Sequence, residues 1–321
     1  MRMMQRRAAQ PQAWCTAWMA ISPSGVSIRL PAMDSGFGAC HYQMEGATNV
    51  MHIIQLTDLH CVPYGRMAMG RCETNTLAER ALRAVGRFRP AADAVLITGD
   101  LSDNGLPGAY DLLAGIIRET QTAPVYVIPG NHDRRDNFRS QLAHLPGVTD
   151  HPEFVQYTVE HLRVRLVMLD TVIFGSPAGE MCDARMAWLE ARLAEQPDRP
   201  TMIAMHHPPF DCGINDAIGL QNAAAFTALI ARHRQVIRIV CGHHHRPVTA
   251  PVAHAIGTIC PGVAHQVELD LANPGLVGKW YLEPAAFQVH SWLGSTIVSH
   301  TGYVDAYPGP YPFLGDPDAP H

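Results

Sequence analysis

From Met51 onward the chain alternates short apolar runs with longer runs at helical spacing, and this alternation restricts it to a layered α/β fold. "MHIIQL" predicts a strand, "TLAERALRAVGRF" a helix, "DAVLIT" a strand, "AYDLLAGIIRET" a helix and "PVYVIP" a strand. That βαβαβ order joins parallel strands through crossover helices. After a helix near residues 134–142, "FVQYTVE" and "LRVRLVMLD" predict a hairpin. Helix "ARMAWLEARLAE", strand "TMIAMH", helix "NAAAFTALIARH" and strand "VIRIVCG" follow, with a second sheet. Past His245 come short β-like pieces separated by proline and glycine, and the tail "YPGPYPFLGDPDAPH" predicts irregular surface chain.

Open α/β sheets gather ligands at the carboxyl ends of their strands. Five predicted strand ends carry polar clusters: "TDLH" (Asp58, His60), "TGDLSDNG" (Asp100, Asp103), "PGNHD" (Asn131, His132, Asp133), "AMHHPP" (His206, His207) and "CGHHH" (His243, His244, His245). One Asp-x-His after a strand is usually a helix cap beside a surface histidine. Five such ends have little structural reason to coincide. Carboxylate, amide oxygen and imidazole without thiolate suit divalent Mn, Fe, Co, Zn or Ni better than a structural zinc site, which favours cysteine. Asp58, His60, Asp100, Asn131, His206, His243 and His245 make seven candidate ligands, too many for one ion. Two ions about 3.5 to 4 Å apart that share a carboxylate would use them all, and such a pair clamps both oxygens of an in-line displacement at phosphorus.

Composition narrows the partners. A formal net charge of -5 and a pI near 6.4 leave no electrostatic footprint for nucleic acid or an anionic membrane surface. No apolar run reaches the roughly 20 residues that cross a bilayer. The eight cysteines are scattered, with no Cys-x-x-Cys pair, as expected for reduced thiols in a cytoplasmic protein. Residues 1–50 open with the acid-free "MRMMQRRAAQ" and lack a core pattern, so they predict a disordered extension or an over-called start. Their apolar patch "AWCTAWMA" is short, leucine-free and without a convincing cleavage site for a secretory signal.

Asp-x-His, Gly-Asp-x-x-Asp, Gly-Asn-His-Asp, His-His-Pro-Pro and Gly-His-x-His, in this order and each after a strand, resemble the calcineurin-like metallophosphoesterase superfamily over about residues 51–270. "TDLH", "GRCETNTLAERAL", "TGDLSDNG" and "PGVAHQ" are most similar to bacterial class III cyclic nucleotide phosphodiesterases and binuclear glycerophosphodiesterases. The resemblance implies a four-layer α/β/β/α sandwich with a small C-terminal β-rich cap segment. Residues 271–321 would form the cap or dimerisation element and tail, and so a homo-oligomer. It also implies two divalent ions: Asp58, His60 and His245 on the first, Asn131, His206 and His243 on the second, and Asp100 as the bridge.

By the same resemblance His132 lies beside the substrate phosphate, where it and Asn131 hold the phosphoryl oxygens, and Asp103 fixes its tautomer so that it can stabilise the transition state or protonate the leaving oxygen. His265, in "PGVAHQ", resembles a histidine near the substrate. His207 is expected to back a metal ligand or to be structural, His244 to be a spacer pointing away, Asp133 a support for its loop and Cys61 a packing residue. The expected activity is hydrolysis of a small phosphodiester, a 3',5'-cyclic nucleotide or a glycerophosphodiester, by a metal-bridging hydroxide. The alternatives are a phosphomonoesterase on the same site, a nuclease, which the missing basic face disfavours, and a non-catalytic scaffold of the same fold. Asp103-Asn104-Gly105 replaces the Arg-Gly that follows the acid in the family's protein phosphatases, which disfavours a protein substrate.

Overall fold

The computed structural model describes residues 50–273 and 278–311. The expectation for residues 1–50 concerns residues that, but for Val50, lie outside these, as does the end of the tail.

Strands β1 (Met51–Leu56), β2 (Ala94–Thr98) and β3 (Val125–Ile128) run parallel in one sheet. They are apolar runs rather than alternating ones because both their faces are covered. Helix α1 (Thr74–Gly86) joins the first pair and α2 (Pro107–Thr120) the second. In α1 the buried Ala78, Ala81, Leu82 and Val85 fall on one stripe, and the Glu73 carboxylate caps the first turn by accepting from the Thr76 N–H at 2.8 Å. Helix α3 (Arg135–Gln141) follows the third strand.

The second sheet opens with the expected hairpin, β4 (Tyr157–Val159) antiparallel to β5 (Arg165–Met168), and continues through β6 (Thr201–Ala204), β7 (Val236–Cys241), β8 (Val248–Val252) and β9 (Ala255–Ile259) in the order β4-β5-β6-β7-β9-β8. Its side chains divide by period two. Leu166, Met168, Met202, Ala204 and Val240 pack into the core shared with the first sheet. Val167, Leu169, Ile203, Met205 and Ile239 pack against Leu189, Leu193, Phe226, Leu229 and Ile230 of α4 (Asp183–Ala194) and α5 (Ala223–Arg232). The layers are therefore helix, sheet, sheet, helix.

Part of the segment expected as a C-terminal cap is built into the first sheet. A two-stranded ribbon, β10 (Gln266–Val267) with β11 (Trp280–Tyr281), stands apart, but β12 (Ala286–Trp292) and β13 (Ile297–Tyr303) extend the first sheet beside β1. Every residue of β12 is buried, so this strand covers an edge that would otherwise be open. It also brings His290 between the sheets, where its Nε2–H donates to Gln55 Oε1 at 3.1 Å. Gln55 Nε2 in turn donates to Thr98 Oγ1 at 2.7 Å and to the Cys241 carbonyl at 2.9 Å. Among the described residues no helix is long and apolar enough to cross a membrane.

Candidate metal centre

The chain turns sharply after β1, β2 and β7, and the backbone shows how. Asp58, His60, Asp100, His243 and His245 all have φ between 46° and 76°, in the left-handed region that side chains other than glycine seldom adopt. Each costs about 1–3 kcal/mol and persists only where the surroundings hold it. The effect is to fold successive residues inward at one end of both sheets. Gly130 makes room for them: a Cβ there would lie 2.2 Å from Asp100 Oδ1 and 2.7 Å from His206 Nε2.

Two clusters meet at Asp100. On one side His60 Nε2 lies 3.3 Å from His245 Nε2 and 3.7 Å from Asp100 Oδ2, with Asp58 Oδ1 3.1 Å from His245 Nε2. On the other, His206 Nε2 lies 3.4 Å from Asp100 Oδ2 and 3.1 Å from Asn131 Oδ1. The two imidazoles thus face the same carboxylate oxygen, while Asp100 Oδ1 accepts the His132 N–H at 2.8 Å. His243 completes the second side through its ring contact with His206, centroids 5.1 Å apart. All seven candidate ligands are brought together.

Proton positions show what the clusters lack. His60 Nδ1–H donates to Asp103 Oδ1 at 3.2 Å, His206 Nδ1–H to the Thr98 carbonyl at 2.8 Å, His243 Nε2–H to the Ile218 carbonyl at 2.9 Å and His245 Nδ1–H to the His265 carbonyl at 2.8 Å. Each ring spends its N–H outward, so the other nitrogen turns a lone pair inward. Lone pairs on nitrogen and oxygen therefore face each other, and the buried Asp58 Oδ1 has no hydrogen-bond donor. A divalent cation in each cluster would satisfy them. The field of the site is negative: burial alone would lower the pKa of His206, but the Asp100 carboxylate pushes it up to about 9.

Asp103 requires a correction. Its carboxylate was expected to fix His132, but it holds His60; His132 instead donates its Nδ1–H to the main-chain carbonyl of Asp103 at 2.8 Å. The cause is the Asp103 N–H, which donates to the Cys61 carbonyl at 2.9 Å and lays this turn along the turn that carries His60. His132 is exposed at the open face. The desolvation its loop imposes is outweighed by the Asp100 carboxylate, and its pKa is raised.

Around this centre, Asp133 takes the N–H groups of Gly130, Leu101 and Ser102 at 2.9, 3.1 and 3.0 Å and the Tyr110 hydroxyl at 2.9 Å, which ties the third strand end to the second. His207 is held by Thr171 Oγ1 at 2.7 Å and the Pro177 carbonyl at 3.2 Å. His265 packs on His60 and His245, with centroids 5.1 and 4.4 Å away, and its Nδ1 is buried without a partner. Cys61 is buried and its thiol is pushed up to about 12 by burial. The carbonyls of Thr98, Ile218 and His265 escaped the sequence, since any residue type carries one. Gln55 was also missed, although a glutamine inside the run "MHIIQL" is a visible signal.

Comparison with known proteins agrees with this architecture. The model of the calcineurin-like phosphoesterase family matches residues 51–247. A probable glycerophosphodiester phosphodiesterase of Arcobacter nitrofigilis is 30% identical over 270 residues, 83% of this chain and 98% of that protein. A probable cyclic nucleotide phosphodiesterase of Rhodopseudomonas palustris is 35% identical over 277 residues, 84% of this chain and 98% of the relative. Among solved structures, a dimetal phosphatase from Danio rerio superposes with a TM-score of 0.60 at 15% identity, over 80% of this chain and 97% of that one.

Proposed function

Because the chain belongs to the calcineurin-like phosphoesterase family, we propose that it is a binuclear metal-dependent phosphodiesterase acting on a small phosphodiester, a 3',5'-cyclic nucleotide or a glycerophosphodiester. The observation that carries this reading is the inward convergence of lone pairs from His60, His206 and His245 on Asp58, Asp100 and Asn131. Asp58, His60 and His245 would hold one divalent ion and Asn131, His206 and His243 the other, with Asp100 Oδ2 between them. When bound, such ions supply a nucleophilic water acidic enough to react near neutral pH and positive charge beside phosphorus. Donors of oxygen and nitrogen alone favour Mn, Fe, Co or Zn.

The protein's own groups supply the rest. His132 faces the opening with its Nδ1–H pinned to Asp103, which leaves Nε2 for the substrate. A raised pKa suits it to give a proton to the departing alkoxide. Asp103 keeps the His60 lone pair aimed inward, and His265, beside both His60 and His245, forms a wall against which the substrate would lie. The names of the two bacterial relatives support a diester substrate.

The test is to strip the protein with a chelator and restore it with Mn2+ or Co2+. Turnover of bis(p-nitrophenyl) phosphate should vanish and return, and exceed that of p-nitrophenyl phosphate. Full activity in metal-free protein refutes the proposal; preference for the monoester would make it a phosphomonoesterase. A panel of cyclic nucleotides and glycerophosphodiesters then identifies the natural diester.

A further inference from the structure

The described residues contain one further group of metal-ligating side chains that shares no member with the centre. Cys212 and Asp216 lie on the loop after β6, and His244 lies in the turn after β7. One donor atom from each lies within 4.8 Å of the others. His244 was expected to point away as a spacer; it is 2% exposed and turned toward this loop. Its ring makes no hydrogen bond with any described residue. An imidazole without a protein partner keeps a lone pair for a metal ion.

The loop is already folded around Asp216. Its carboxylate accepts the Cys212 N–H at 2.7 Å and the Gly213 N–H at 3.0 Å. Asn215, at φ 51°, takes the left-handed conformation that lets the chain turn back on itself. These bonds hold Cys212 and Asp216 on the same side; Oδ1 also accepts the Gly213 N–H at 3.2 Å, which takes up both its lone pairs, and Oδ2, with one donor, keeps a lone pair free. The thiol donates to the Ile214 carbonyl within its own loop at 3.4 Å and lies beside the Asp216 carboxylate.

We infer that Cys212, Asp216 and His244 form a third cation site, separate from the candidate centre and suited to zinc with a water as fourth ligand. Sulfur, carboxylate and imidazole are the donors zinc takes, and one thiolate with one carboxylate neutralises a divalent ion. Donors around tetrahedral zinc lie about 3.3 to 3.8 Å apart, so closure by about 1 Å completes the site. Binding breaks the Cys212 S–H bond, forms the zinc–sulfur bond and releases one proton to solvent. Burial pushes that thiol up to about 12, so affinity should rise with pH. The same loop presents the Ile218 carbonyl to His243 at 2.9 Å, so an ion here would stiffen the support of one candidate ligand.

Cobalt separates the two kinds of site, because the centre has only oxygen and nitrogen donors. Saturating the full-length chain with Co2+ should give a near-ultraviolet thiolate-to-cobalt charge-transfer band and three ions per chain by mass spectrometry. Cys212→Ser should lose the band and one ion and keep the other two; His244→Ala should also lose the band. In the wild-type chain, zinc should slow alkylation of Cys212 by at least about tenfold, and a chelator should reverse this. This last measurement needs no variant and decides the matter if Cys212→Ser fails to fold. Absence of the band at saturating cobalt, a band that persists in Cys212→Ser, or equal alkylation with and without zinc would each overturn the inference.

Discussion

His206 is tied to Thr98 across the two sheets: its Nδ1–H donates to the Thr98 carbonyl at 2.8 Å. That bond decides which nitrogen of His206 faces Asp100. Behind it, Gln55 donates to the Thr98 hydroxyl and to the carbonyl of Cys241, two residues before His243. One buried amide thus steadies the ends of strands from both sheets.

Replacing Gln55 with methionine keeps the volume but leaves Thr98, Cys241 and His290 without their partner. We expect a stability loss of about 2–3 kcal/mol in chemical denaturation and roughly tenfold weaker metal binding in calorimetric titration. Unchanged metal affinity in a destabilised variant would confine Gln55 to holding the sheets together.

Asn131 and His132 are neighbours with different tasks. Asn131→Ala should weaken occupancy of one ion. His132→Ala should leave both ions bound and slow turnover by about 10²- to 10⁴-fold. A poor alkoxide needs a proton and a nitrophenolate hardly does, so the loss should be larger on natural diesters than on aryl ones. Equal losses would point to electrostatic stabilisation, and metal depletion in His132→Ala would overturn the division.

Asp103→Asn tests the corrected pairing. Because the carboxylate holds His60 while the main chain holds His132, the variant should lose about 10- to 100-fold in affinity for the ion at His60. Excess metal should then recover most of the turnover. A defect that metal does not relieve would show that the carboxylate acts on His132 after all.

Acid stability should carry the mark of His290. Burial, and then Arg238, pushes its pKa down to about 3, whereas the unfolded chain takes up this proton near pH 6.5. Between these values the unfolded state binds more protons, so stability falls as pH falls, by up to about 1.4 kcal/mol per pH unit. His290→Gln should be less stable than wild type at pH 7, and the gap should narrow on acidification from pH 6.5 toward 4. A gap independent of pH would mean that His290 is not buried in its neutral form.

Two kinds of information separate here. Periodicity alone revealed the strands and helices from Met51 to Cys241, because burial on one face or two leaves a repeat of 3.6 or 2 in the sequence. The strand-end clusters also named the residues that now converge, since Asp, Asn and His at five such ends have few structural uses. Which nitrogen each histidine turns inward was not legible, because main-chain carbonyls of Thr98, Ile218 and His265, delivered by distant segments, decide it. Nor was the partner of Asp103, set by a single N–H to Cys61, or the approach of His244 to Cys212 and Asp216 across about thirty residues of chain. Local pattern sets the layers and the chemical types at their ends. Orientation is left to contacts across the fold, because hydrogen bonds between remote segments depend on distances in space that no local pattern encodes.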